Sequence, residues 1–160
     1  MSELTIRRAV PGDEELILTL LFELAEYEKL THAFRLTKAI VTRDFFGPAP
    51  AAFCDLGFAG DKPVGLATWY WIYTTFGASR GLYLEDLYVR AGQRGSGYGK
   101  SLLAHLAKEA LAHGATRVQW AVLDWNKPSI DFYERLGAKP VRGWTTYQLS
   151  DAPLEALARA

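Results

Sequence analysis

Apolar positions along this chain change spacing several times, and each change marks an element. "LTIRRAV" (4–10) alternates apolar with polar residues and predicts a first strand. "PGDEE" follows as a turn and helix start, with Asp13 as N-cap and acids in the first turn. Leu16, Ile17, Leu20, Leu21, Leu24 and Ala25 then recur at helical spacing, which predicts an amphipathic helix over 13–29. "LTKAIVTRDFFG" (36–47) predicts a second, shorter helix, capped by Thr37 and ended near Gly47. "AAFCDLGFAGDKPVGLATWYWIY" (51–73) reads as two strands joined by a turn at "GDKP", and "GLYLEDLYV" (81–89) as another strand.

The second half is built similarly. Gly97 to His113 is a strong helix, with Leu102, Leu103, Leu106, Ala107, Ala110 and Leu111 on one side and the glycine of "HGA" past its end. "RVQWAVL" (117–123) predicts a strand, "KPSIDFYERLG" (127–137) a short helix closed by Gly137, and "WTTYQL" (144–149) a last strand. "DAPLEALARA" (151–160) predicts a terminal helical turn or two. The order βααβββαβαβ carries no repeat or linker, so residues 1–160 are expected to form a single α/β domain. A long helix separates the strands at 82–89 and 117–123, and such crossovers join parallel strands. The expected sheet is mixed, not doubly wound.

Composition narrows the function. The 160 residues are 49% hydrophobic and 13% aromatic, which suits a folded globule. Eighteen Lys+Arg balance eighteen Asp+Glu, which argues against nucleic acid or an anionic membrane as partner. Cys54 is the single cysteine and is read as a small core residue; the histidines are scattered, so no metal site is expected. The N-terminal residues lack an apolar signal core, and no apolar run approaches the roughly 18 residues of a membrane span. The expected address is the cytoplasm.

Candidate chemistry concentrates in "GQRGSGYGKS" (92–101), between a strand and a helix. A P-loop would need glycine where Arg94 stands, and Gly95-Ser96-Gly97-Tyr98-Gly99 misses the last spacing of a dinucleotide fingerprint. The pattern Arg94-x-x-Gly97-x-Gly99 remains, either as a plain connector or as an anion cradle. In a cradle, glycines let the backbone approach, helix-start N–H groups point at a pyrophosphate, and Arg94 or Lys100 adds charge.

This loop after an "EDLYV" strand resembles the acetyl-CoA loop of the GNAT superfamily of acyltransferases. "LDWNKPSIDFYERLGA" (123–138), "ELAEYEKL" (23–30) and "LYLEDLYV" (82–89) are similar to segments of its diamine (spermidine/spermine) and thialysine acetyltransferases. The likeness spans essentially the whole chain. It implies a mostly antiparallel sheet flanked by helices, with a splayed parallel strand pair as the acetyl-CoA cleft. It also implies N-acetyl transfer to a small-molecule primary amine by direct attack in a ternary complex, and a homodimer.

By the same resemblance, Arg94, Gly95, Ser96, Gly97, Tyr98, Gly99 and Lys100 hold the pyrophosphate. The backbone of Leu87, Tyr88 and Val89 pairs with the thioester and pantetheine, near an expected β-bulge. Asn126 can cap the helix at 127–137 or, with Ser129, bond the pantetheine arm. Tyr133 is either a core aromatic or, by resemblance, the acid that protonates the departing thiolate. A phenol of pKa about 10 suits a thiol of about 8.5.

At neutral pH only about 1 in 2,500 alkylammonium groups is nucleophilic, a cost of roughly 4–5 kcal/mol, so a carboxylate should accept the proton. Glu85 and Asp86 are the candidates, expected on opposite faces of their strand. The resemblance puts Glu85, Tyr27 and Glu28 at the amine. Arg142 stands where the diamine enzymes carry an acid, which disfavours polyamines and favours an amino acid whose carboxylate Arg142 could bind. Trp69, Trp71 and Tyr73 share one face and would line the amine pocket, a dimer interface or the core. A catalytically silent CoA sensor and a nucleotide-binding protein are the competing readings.

Overall fold

In the computed structural model, which describes residues 4–160, the alternating segments form β1 (Leu4–Arg8), β2 (Phe53–Ala59), β3 (Lys62–Thr74) and β4 (Ser79–Val89). They pair antiparallel in chain order, and β5 (Val118–Gln119) joins β4 in parallel at Leu82↔Val118 and Tyr83↔Gln119. The predicted mixed sheet and its parallel pair are both present. Only two residues of the expected strand at 117–123 join the ladder, so the paired part is far shorter than the pattern.

The helices follow the apolar spacing. α1 (Glu14–Tyr27) buries Ile17, Leu20, Leu21, Leu24 and Ala25. Asp13 precedes it without a side-chain cap bond, because its carboxylate instead accepts from Arg7 at 2.7 and 2.9 Å and from the Val10 N–H at 2.8 Å. α2 (Lys38–Phe46) starts as predicted, with the Thr37 hydroxyl oxygen accepting from the Ile40 N–H at 3.3 Å. α3 (Tyr98–Ala112) buries Leu102, Leu103, Leu106 and Ala110.

Two units are compact in themselves, one running to Ala121 and the other Val122–Ala160. In the first, Ile17, Leu20, Leu24 and Val41 pack with Cys54, Leu56, Leu66 and Tyr88 of the sheet. Each such aliphatic side chain contributes about 1.5–3 kcal/mol by leaving water. The opposite sheet face carries Trp69, Trp71 and the α3 side. Trp69 is 1% exposed, and its Nε1–H donates to the buried Asp55 at 2.6 Å, with Arg8 donating to the same carboxylate at 2.9 Å. Trp71 lies beside His113, with rings tilted at 49°, and under Arg80. Trp69 is therefore core, Trp71 is half-buried, and Tyr73 is exposed.

The second unit holds α4 (Lys127–Arg135) and α5 (Asp151–Ala158). The strand expected at 144–149 does not form: residues 138–150 carry no helix or strand, and Trp144 and Tyr147 lie open to solvent. Alternation supplies a two-sided side-chain pattern, but a strand also needs a ladder partner, and this segment has none among the described residues.

Candidate active site

The β3–β4 register creates the first part of the site. Thr68 pairs with Asp86 and Trp69 with Leu84, so the ladder steps past Glu85, which is the extra residue of a β-bulge. The bulge resets the side-chain alternation. Glu85 accepts a hydrogen bond from the Tyr70 hydroxyl at 3.3 Å, and Asp86 accepts one from the Thr68 hydroxyl. Thr68 and Tyr70 are two apart on one face of β3. Both carboxylates therefore share that face, and the expected opposite-face arrangement is corrected: strict alternation holds only in an unbroken strand.

The electrostatics follow from crowding. Burial pushes the Asp86 carboxyl up to about 6; the Thr68 hydrogen bond opposes this, and the charges of Glu85 and Glu28 add to it. Burial also raises Glu28, at the end of α1. Tyr70 stacks on Tyr83 with ring centroids 5.1 Å apart. Its phenol is pushed up to about 12, by burial first and then by Glu85's charge, so it stays a donor at neutral pH. The result is a patch of carboxylates bordered by two phenol rings, a setting that favours a cation.

The bulge also decides which backbone groups face the open edge of β4. The Arg90 N–H donates to Val64 at 2.9 Å, and the Tyr88 carbonyl lies against Gly65, so both face β3. By alternation, Leu87 and Val89 turn their N–H and C=O groups to the other edge, where the β5 ladder has already stopped. The Leu87 and Val89 main chains thus face away from β3, whereas the Tyr88 main chain is committed to it. The Tyr88 hydroxyl donates to Glu23, which also takes Arg90 at 2.8 Å.

Beyond β4 the chain makes a 3-10 turn (Ala91–Gln93) and enters the glycine loop. Gly95 and Gly97 have φ of 81° and 80°, which glycine adopts without strain, and nothing lies within 4 Å of a Cβ at either position. Gly97 is the N-cap of α3, whose first-turn N–H groups have no acceptor within the helix. Tyr98 buries its side chain, so what it offers here is its backbone, while Lys100 is exposed. This open, positively polarised cradle at the end of an unpaired strand edge fits a pyrophosphate with a pantetheine arm. Arg94, exposed at the start of the loop, holds its guanidinium 4.4 Å from the Tyr27 ring, and its Nε–H donates to the Val89 carbonyl at 3.1 Å. A residue expected at the cofactor and one expected at the amine are thereby in contact.

In the second unit, the Asn126 side-chain oxygen accepts from the Ser129 N–H at 3.4 Å, and a proline stands in the first turn of α4. Asn126 therefore caps the helix, as one of its two readings required. Tyr133 lies in α4 beside Phe132, with ring centroids 5.4 Å apart. Gly137, at φ 90°, ends the turn, and the Ala138 N–H donates to the Tyr133 carbonyl at 3.1 Å. Arg142 lies in the exposed segment 138–150. Thr68, Tyr70 and Tyr83 were not anticipated. The alternation of "TWYWIY" offered a signal, but it drew attention to the tryptophan face.

A parallel pair whose ladder ends after two residues, a bulged strand and a glycine cradle at a helix start are the features expected of an acyl-CoA-dependent transferase. Residues 15–138 match the acetyltransferase (GNAT) family. The chain is 36% identical to the thialysine N-epsilon-acetyltransferase of Sus scrofa, over 99% of both chains. It is 28% identical to an L-ornithine N5-acetyltransferase of Arabidopsis thaliana, over 95% of this chain and 86% of that one. Among solved structures, an integron cassette protein from the mobile metagenome of V. cholerae superposes with a TM-score of 0.81 at 25% identity, covering 100% of this chain and 99% of that one. The chain belongs to the acetyltransferase (GNAT) family, and its chemistry is transfer of an acetyl group from acetyl-CoA to a nitrogen acceptor.

Proposed function

We propose that this enzyme acetylates the side-chain amine of a small, lysine-like amino acid, by direct attack in a ternary complex with acetyl-CoA. The observation that carries this reading is the bulge at Glu85, which gathers Glu85 and Asp86 on one face near Glu28. The patch adjoins the free edge of β4. Glu85 and Asp86 receive the ammonium, with Tyr27 and Glu28 at the end of α1, and Glu85 accepts its proton. The freed nitrogen attacks the thioester carbon while the Leu87 N–H, next to the bulge, bonds the developing oxyanion. As the carbon–sulfur bond breaks, Tyr133 gives its proton to the sulfur.

Acetyl-CoA supplies the acyl group. The glycine loop from Arg94 to Lys100 holds its pyrophosphate, and Asn126 and Ser129 hold the pantetheine arm. Arg142 binds the carboxylate of the amino acid acceptor. Relatives named for thialysine and L-ornithine support an amino acid acceptor. The whole chain, 1–160, acts as one acetyltransferase domain.

We place the protein in the cytoplasm as a homodimer. In support of the dimer, Val141, Trp144, Tyr147, Leu149, Leu154 and Leu157 expose apolar surface in the C-terminal unit. Among the described residues no helix is long and apolar enough to cross a membrane.

The test is thiol release from acetyl-CoA over thialysine, lysine, ornithine, putrescine, spermidine and spermine. Preference for the amino acids is expected. Equal turnover of polyamines and amino acids overturns the role of Arg142. Tight acetyl-CoA binding without turnover of any amine overturns the enzyme reading in favour of a silent sensor.

A further inference from the structure

Thr68 is a buried hydroxyl in the middle of a hydrophobic strand, 2% exposed. A hydroxyl in that position costs free energy unless it is paired. Its partner is the Asp86 carboxylate, from the directly opposed position of β4. Valine has nearly the same shape and would fill the space without a polar group, so the hydroxyl's distinctive contribution is this hydrogen bond.

The surroundings make that bond consequential. Asp86 faces Glu85 on its own strand and Glu28 from the end of α1, and it acts on the Cys54 thiol of β2. From β3 come the Thr68 hydroxyl and, onto Glu85, that of Tyr70. The neighbouring charges are thus carboxylates, and burial adds to their effect. Both favour the neutral acid, whereas the donor from Thr68 favours the anion.

We propose that Thr68 is a positioning residue for the transfer reaction: its hydroxyl keeps the Asp86 carboxylate ionised and turned toward the amine site beside Glu85. This rests on the amine-acetyltransferase reading above. The residue acts through Asp86 and touches neither substrate.

The experiment compares wild type with Thr68→Val and Thr68→Ser by two readouts. One is the titration of the Asp86 side-chain carboxyl, followed by carbon NMR in the full chain without substrates. The other is the pH profile of kcat/KM for the best amine. In Thr68→Val the carboxyl midpoint should rise by about one pH unit, as expected for loss of a hydrogen bond to the charged form. The acidic limb of the rate profile should move up equally, while the rate above both midpoints changes less than about threefold. Thr68→Ser should restore both.

An unshifted carboxyl titration in Thr68→Val overturns this inference and leaves the enzyme reading intact. A shifted titration with an unmoved acidic limb overturns it too, because Asp86 would then lie outside the reaction. A wild type that acetylates no amine instead overturns the reading beneath it.

Discussion

Leu82 of β4 pairs in parallel with Val118 of β5, and the ladder stops one residue later at Tyr83 and Gln119. From Leu84 onward that edge of β4 pairs with no strand among the described residues, and the bulge at Glu85 follows at once. The short ladder and the bulge together set which groups the opened edge presents: the main chains of Leu87 and Val89, with the carboxylates of Glu85 and Asp86 alongside.

Gly97→Ala should weaken acetyl-CoA binding without a steric clash. Its φ of 80° disfavours a side chain by roughly 1–2 kcal/mol, and nothing lies within 4 Å of the added Cβ. The expected result is a modest loss of melting temperature and about a tenfold rise in the KM for acetyl-CoA. The KM for the amine should hold; an equal rise in both would detach the loop from the cofactor.

Asp86→Asn should make the protein more stable and less active. The folded-state value of about 6 lies above the unfolded one of roughly 3.9, so folding binds this proton more tightly. The stability it confers is complete below about pH 4 and is lost as pH rises through 6. The amide avoids that loss, so the mutant should match wild type at pH 4 and exceed it above pH 6, by up to about 3 kcal/mol. Denaturant melts at the two pH values read this directly, and a uniform shift at both would contradict the assignment.

Glu85→Gln and Tyr133→Phe should each lower kcat/KM at least tenfold, for different reasons. Under the proposed roles, the first removes the proton acceptor and part of the ammonium's counter-charge, and the second the proton donor for sulfur. Rates measured with acetyl thioesters of a more acidic thiol separate the two: the better leaving group should rescue Tyr133→Phe and not Glu85→Gln.

Asp55→Ala should destabilise the first unit by about 2 kcal/mol, because it leaves the buried indole N–H of Trp69 without its acceptor and takes from Arg8 one of its two carboxylate partners, the other being Glu109. Thermal melts check this. The carboxylate lies on the α3 face of the sheet, opposite Asp86, so acetyl-CoA affinity of the folded mutant should stay within about threefold of wild type. A much larger loss would tie that face to the site.

Much of this arrangement was legible beforehand. The glycine spacing after "EDLYV" marked the cradle, and a helix of that length between two strands required the parallel pair. Local pattern failed where long-range pairing decides. "WTTYQL" alternates as a strand should, yet finds no ladder. The Glu85 bulge lies in the register between β3 and β4, so only pairing reveals that Thr68 stands opposite Asp86. Strict alternation along "LYLEDLYV" places the two carboxylates back to back, and one unpaired residue turns them together.

Cys54 lies 2% exposed in the core, and burial raises its thiol far above the ordinary range, with the charges of Asp55 and Asp86 adding to the effect. Thiolate is the reactive form, and this side chain holds neither charge nor access. A disulfide reagent added to the folded enzyme should therefore leave the protein untouched, and every equivalent consumed during turnover should count a molecule of released CoA. The same burial lets the protein be stored in air without a reductant, which would otherwise swamp that signal.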